Sequence, residues 1–183
     1  GGGGDIWPCK PNTETGLKER GFEFLAEMER LHMIVDVSHL SDRGFWDIAE
    51  HSTRPFAASH SNCRALAPHC RNLTDEMIRV MAEKGGLVGL NYCSGFLDDQ
   101  PRPELCRSTT ALMARHAAHF KQVGGIEIIG LGSDFDGIGG KLEMGDCSKL
   151  PLLADALRKE GFTEDEVEQI FFRNAQRFFE ENL

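Results

Sequence analysis

Met33-Ile34-Val35-Asp36-Val37-Ser38-His39-Leu40-Ser41 is the stretch on which the fold turns. Its first five positions are dominated by apolar and β-branched residues, the pattern of a short buried strand. The strand ends abruptly in a polar Ser-His step. On its amino side, from about Gly16 to His32, Leu17, Phe24, Leu25, Met28 and Leu31 recur at three- and four-residue steps. That spacing predicts an amphipathic helix, with Thr15 as its N-cap. On its carboxyl side Ser41 caps a short helix through Phe45, Trp46 and Ile48 to about His51. Pro55-Phe56-Ala57-Ala58 then reads as a second strand, and it too ends in Ser-His, at Ser59-His60-Ser61.

The alternation continues to the end of the chain. Asn72-Leu73-Thr74-Asp75-Glu76 opens a helix with its acids in the first turn, where they suit the helix dipole, and Gly85-Gly86 stops it. Leu87–Asn91 is a third strand. A Pro-containing loop over 94–108 leads into a helix from about Thr109 to Val123, closed by Gly124-Gly125. Ile126–Gly132 is a fourth strand ending in Ser133-Asp134-Phe135-Asp136-Gly137. Pro151 starts another helix, and Thr163 with Glu166 forms the capping box of the last one. Helices alternating with short apolar strands predict parallel βαβ units. Residues 1–15, rich in Gly and Pro, read as a loop, and no internal domain boundary is visible.

The chain has 183 residues, fewer than the about 250 of a full eight-stranded barrel of this type. Its net charge is −9, from 20 basic and 29 acidic residues, and the basic residues form no dense patch. A nucleic-acid partner is therefore not expected. No apolar run is long enough for a membrane span. The six cysteines show no CxxC spacing, which argues against a zinc ribbon and for free thiols in a reducing compartment. Neither a signal-peptide pattern nor an apolar C-terminal anchor tail is visible; a cytoplasmic location is expected, with a signal peptide upstream of Gly1 as the alternative.

In parallel α/β folds the working residues stand at the carboxyl ends of strands. Here those positions are His39, His60, Asn91 and Asp134. Neutral imidazoles and carboxylates are zinc ligands and proton-transfer groups. Each histidine alone reads first as a strand-end group bonded to backbone; two on consecutive strands bring a shared metal level with that reading. A catalytic zinc takes three protein ligands, so the third is either Asp134 or a residue outside this chain. The acidic loop after Asp134 lacks the twelfth-position Glu of an EF-hand, since Gly145 stands there, and no phosphate-loop Gly-Lys-Ser/Thr follows it. Arg71 is either a surface charge or, beside a metal, a clamp for a carboxylate. His32, His51, His69, His116 and His119 read as surface or structural residues. Asp36, polar in an apolar strand, reads as a support behind the site or as a buried hydrogen-bonding group.

Val35-Asp36-Val37-Ser38-His39-Leu40-Ser41, Ala58-Ser59-His60-Ser61, Arg71-Asn72-Leu73-Thr74-Asp75-Glu76 and Gly132-Ser133-Asp134-Phe135-Asp136-Gly137 occur in this order. Together they resemble the membrane (renal-type) dipeptidase family, the M19 metallopeptidases. Asp146-Cys147-Ser148-Lys149 and the Arg173-Asn174 helix are similar to that family's C-terminal region. The resemblance implies a (β/α)8 TIM-type barrel with two zinc ions and an activity on dipeptides, some with a C-terminal D-residue. It implies that a metal-bridging hydroxide attacks the peptide carbonyl. It further implies that His39 and His60 are metal ligands, that Arg71 holds the substrate carboxylate, and that Asp134 moves protons and contacts the substrate amino group. The family's His-x-Asp pair, its zinc-bridging glutamate and its carbonyl-polarising histidine are absent from this chain. The chain then corresponds to strands five to eight, the C-terminal half of the barrel and a single partial domain, inactive by itself. The family's disulfides do not map onto these cysteines, and homo-oligomerisation of the full-length parent is left open. Another metal-dependent barrel amidohydrolase would need a strand-end lysine or further strand-end histidines, and none is visible.

Overall fold

The computed structural model describes residues 14–183. The predicted loop over 1–15 therefore lies almost wholly outside the described residues. Helix α1, Glu19–Arg30, is amphipathic as its spacing requires, with Gly21 and Leu25 buried. Its start differs from the expectation. Lys18 occupies the N-cap without a side-chain bond, and Thr15 uses its carbonyl to accept from Ser41 Oγ at 2.9 Å. Ser41 also caps α2, Asp42–His51, by accepting from the Gly44 N–H.

The sheet is small and wholly parallel. Strands β1, Ala57–Ala58, β2, Leu87–Leu90, and β3, Ile129–Leu131, lie in chain order. Ala57 pairs with Leu87, and Val88 with Ile129. The run predicted as the first strand, 33–37, joins β1 only through a parallel bridge from Asp36 to Ala57. Two hydrogen bonds hold it there, Val37 N–H to Ala57 O at 2.8 Å and Ala57 N–H to Val35 O at 2.9 Å. Among the described residues it is the edge of the sheet and pairs on one side only, so its ladder is shorter than its composition suggested. The predicted strand over 126–132 is also shortened. Gly125, at φ +90°, turns the chain into a 3₁₀ turn over Ile126–Ile128 before β3 begins. Asn174 holds that turn, its amide donating to Ile126 O at 2.7 Å and to Ile129 O at 2.9 Å.

Helix α3, Asp75–Glu83, is capped by Thr74 as its sequence dictates. The loop over 94–108 contains the short helix α4, Ser94–Leu97, and a 3₁₀ turn at Pro103–Leu105. Helix α5, Thr110–Gly124, is capped by Thr109 and packs on α3 and on α6, Leu150–Lys159. The capping box of Thr163 and Glu166 forms at the start of α7, Glu164–Glu168. A π-helical segment, Gln169–Arg173, leads on into α8, Asn174–Asn182. The largest fully buried side chains include Tyr92, Phe56, Phe120 and Phe178, and most of the apolar interior is one continuous cluster.

His116, on α5, is buried in this interior, where its Nε2 meets Leu97 O at 3.0 Å and its Nδ1 accepts from the Cys63 N–H at 3.1 Å. Nε2 therefore carries the proton and the ring is neutral. Burial, the largest cause, pushes its pKa down to about 4. The unfolded chain takes up this proton near the ordinary imidazole value of about 6.5. Between these values the unfolded state binds more protons than the folded one, so acidification favours unfolding. The stability tied to His116 is fully present above the unfolded value and lost as pH falls toward the folded one. Urea midpoints measured across that window should fall for the wild type and fall less for His116→Gln.

Candidate active site

The carboxyl ends of the four parallel segments carry the residues expected from the sequence: His39, His60, Asn91 and, just past β3, Asp134. His39 and His60 face each other, with ring centroids 4.8 Å apart and their Nε2 atoms at 2.8 Å. One of the two nitrogens carries the proton of this bond and the other offers its lone pair.

Asp36 sits between the buried Val35 and Val37, so the pleat sends its side chain to the opposite, exposed face. The buried hydrogen bond that the sequence also offered for Asp36 is not found, since the residue is exposed. Its Oδ1 accepts from the backbone N–H groups of Ser38 at 3.1 Å and Ser59 at 2.9 Å. Its Oδ2 accepts from Ser59 Oγ at 2.6 Å, and Ser59 Oγ lies 2.7 Å from His60 Nδ1. Ser38 Oγ accepts from the His60 N–H at 2.9 Å. Each Ser-His step is thus tied to the other through Asp36 and Ser38.

Asn91 is fully buried and joins three strand ends. Its amide donates to His60 O at 3.2 Å and to Asp134 Oδ2 at 3.3 Å, while its Oδ1 accepts from the Cys93 N–H at 2.6 Å. Asp134 has φ +60°, a left-handed conformation that Asp tolerates better than most residues. Its carbonyl accepts from the N–H groups of Gly137 and Ile138, which closes the loop behind it.

Arg71 reaches the same rim from the loop after His60. Its Nε donates to Ser38 O at 2.6 Å, its guanidinium lies 5.3 Å over the Phe96 ring, and its Nη2 is buried without a protein partner among the described residues. A guanidinium anchored along one side keeps donors in a fixed fork for a carboxylate. Burial pulls the Arg71 pKa down, and the charges of Asp134 and Asp36 oppose that shift. The His39 imidazole is also held below its ordinary range, first by burial, then by the charges of Arg71 and His60. That direction favours the neutral ring, the form in which an imidazole binds a metal.

Two contributors were not legible in the sequence. Phe96 stacks on His69 at 4.5 Å as well as under Arg71, and His69 Nδ1 accepts from the Arg71 N–H at 3.1 Å. An isolated aromatic in a Pro-containing loop carries no spacing signal. Ser59 shows in the sequence only as part of the repeated Ser-His step, which by itself assigns it no role. Among the described residues no group of three or more His, Cys, Asp or Glu side chains is placed to hold one metal ion. Asp134 therefore does not join His39 and His60 as a third ligand here; it pairs with Asn91 instead.

A parallel sheet that gathers two imidazoles, a carboxylate and an anchored guanidinium at its carboxyl edge carries the residue types of a metal-dependent hydrolase. The chain belongs to the membrane dipeptidase family, peptidase family M19, whose family model matches residues 7–182. It is 38% identical over 171 residues to an uncharacterized protein in the pqqA 5′ region of Klebsiella pneumoniae, covering 93% of this chain and 63% of that one. It is 35% identical over 166 residues to an uncharacterized dipeptidase of Schizosaccharomyces pombe, covering 90% of this chain and 39% of that one. Among solved structures, a metallopeptidase from Rhodobacter sphaeroides, liganded with a phosphinate mimic of the dipeptide L-Ala-D-Ala, superposes with a TM-score of 0.88 at 35% identity. That match covers 96% of this chain and 50% of the other. The chain thus spans only part of the length of the relatives it matches. Its fold is α/β, with a small parallel sheet and helices similar to those of M19 dipeptidases, and membership of a metallopeptidase family implies a metal cofactor. No helix of the described residues is long and apolar enough to cross a membrane.

Proposed function

We propose that this chain supplies the C-terminal half of a (β/α)8 barrel that hydrolyses dipeptides with the help of zinc. The observation that carries the reading is the meeting of His39 and His60 through their Nε2 atoms, beside an Arg71 guanidinium whose Nη2 is left free for a ligand. Chain-order parallel strands with an exposed edge at residues 33–37 support the barrel half. A relative of known structure that binds a phosphinate dipeptide mimic supports the substrate class, because a phosphinate imitates the tetrahedral state of peptide hydrolysis.

The donor set fits zinc as two of its ligands. Both are imidazole nitrogens, they converge, and the ring of His39 is held neutral. When bound, zinc supplies an activated water and polarises the scissile carbonyl. The chain's own residues do the rest. Arg71 pairs with the free C-terminal carboxylate, and its fixed position limits the substrate to dipeptide length. Asp134, oriented by Asn91, takes up a proton at its carboxylate and returns it to the leaving amine.

Arg71→Met in the protein extended to the length of its relatives tests the clamp. A lost charge-assisted hydrogen bond, worth about 1.5–3 kcal/mol, corresponds to a drop of roughly 10- to 100-fold in kcat/KM on dipeptides with a free carboxylate. Amidated dipeptides, which lack that partner, should change little. An equal loss on both would argue against the assignment.

A second reading concerns the chain by itself. With no third ligand grouped at the histidine pair among the described residues, it is inactive alone. Tight binding of two zinc ions with strong dipeptide turnover by this chain would overturn that reading.

A further inference from the structure

Asp36 and Ser59 have no role in the reaction as described above, yet their hydrogen bonds fix the state of a residue that does. We propose that they are positioning residues: they lock His60 as the Nδ1–H tautomer and so hold the Nε2 lone pair toward His39. The proposal rests on the metal-ligand reading of His60.

The protons available to these groups fix the tautomer. An ionised carboxylate only accepts hydrogen bonds. Asp36 Oδ1 is used by two backbone N–H groups, and Oδ2 sits 2.6 Å from Ser59 Oγ. The single hydroxyl proton of Ser59 must therefore point at Asp36. At its contact with His60 Nδ1, 2.7 Å away, Ser59 Oγ can then only accept, so Nδ1 carries the proton. His60 Nε2 is left as a bare lone pair. The 2.8 Å contact between the two Nε2 atoms needs one donor, and that donor is His39. The two histidines are thus unequal. His60 is preset for an ion at Nε2, whereas His39 must move its proton to Nδ1 before its own Nε2 can bind one. Carboxylates and hydroxyls behind a metal-binding histidine fix its tautomer and orientation in this way.

The same protons decide what Asp36→Asn would do. The two backbone N–H groups of Ser38 and Ser59 demand an acceptor at the Oδ1 position, so the amide oxygen goes there. The amide NH2 then faces Ser59 Oγ as a donor. The Ser59 proton turns to His60 Nδ1, and His60 flips to the Nε2–H tautomer. Ser59→Ala removes the hydroxyl alone and leaves Nδ1 without a dictated partner. Ser59→Thr keeps the hydroxyl.

The test is long-range ¹H–¹⁵N correlation NMR on the ¹⁵N-histidine-labelled chain at mildly alkaline pH, with His60 assigned through His60→Ala. The expected pattern is Nδ1–H in the wild type and Ser59→Thr, a mixture in Ser59→Ala, and Nε2–H in Asp36→Asn. A purely structural role would not move the tautomer. Zinc titration against a chromophoric chelator gives the second readout. Binding should weaken roughly 10- to 100-fold in Asp36→Asn and Ser59→Ala, and stay near wild type in Ser59→Thr. Nε2–H in the wild type, an unchanged tautomer in Ser59→Ala, or an unchanged zinc affinity in Ser59→Ala would each overturn the proposal. If Asp36→Asn fails to fold, Ser59→Ala carries both readouts. A His39→Ala/His60→Ala double variant that binds zinc like the wild type would instead overturn the metal reading, whatever the tautomers show.

Discussion

Alanine in place of His60 is expected to reduce dipeptide hydrolysis by the full-length protein about 1000-fold or more, with loss of bound metal. Each tenfold in rate is about 1.36 kcal/mol of transition-state stabilisation, and a metal acting as Lewis acid supplies several kcal/mol. On the proposed ligand role of His60, its removal forfeits most of that. His39→Ala should behave alike, since the two imidazoles meet Nε2 to Nε2. His119 provides the contrast. It lies on α5, where its Nε2 bonds to Asp75 Oδ1 at 2.7 Å rather than to any strand-end residue. His119→Ala should keep kcat/KM near wild type. Metal content by elemental analysis and kcat/KM together check the result. Full activity with full metal content in both His39→Ala and His60→Ala would end the zinc assignment.

The largest effect on folding is expected at Gly132→Ala. A Cβ there would lie 1.9 Å from Ser59 O and 2.8 Å from the backbone of Gly89. A Cβ at Gly89 would meet the same Ser59 oxygen at 1.9 Å. The Ser59 carbonyl is thus flanked by two strands that can carry only glycine at these points. The obstacle is backbone and cannot rotate away, so the clash must be relieved by parting the sheet. Overpacking costs about 1–3 kcal/mol in typical cores; a backbone contact this short belongs at or above the top of that range, about 3 kcal/mol. Denaturant unfolding of the variant measures it. Gly139→Ala is the control, because nothing lies within 4 Å of a Cβ there. It should leave stability within about 0.5 kcal/mol of wild type. The Gly132 change should also disturb the site, since Ser59 bonds to both Asp36 and His60.

Much of this architecture was written locally. Ser41, Thr74 and Thr163 cap the helices that their positions announced, because a cap bonds within three residues of itself. The strand ends His39, His60 and Asp134 were legible because a polar step follows each apolar run. The edge segment at 33–37 and the 3₁₀ turn at Ile126–Ile128 were not. Their lengths depend on how many neighbours pair with them and on the Asn174 amide, which comes from the far end of the chain. Phe96 beneath Arg71 was invisible for the same reason.

By itself, the sequence determined the alternation of helices and parallel strands, the caps of α2, α3 and α7, the family and the strand-end positions of His39, His60, Asn91 and Asp134. Each rests on spacing along the chain or on short runs of residue types. Only the tertiary structure decided what those residues do to one another. It brought Asp36 and Ser59, 23 positions apart, within 2.6 Å, and set Arg71 against the carbonyl of Ser38. It also seated Asn91 between His60 and Asp134. Such contacts follow from strand register and from the close approach that Gly89 and Gly132 permit, and one residue of slip would turn each strand's side chains to the other face.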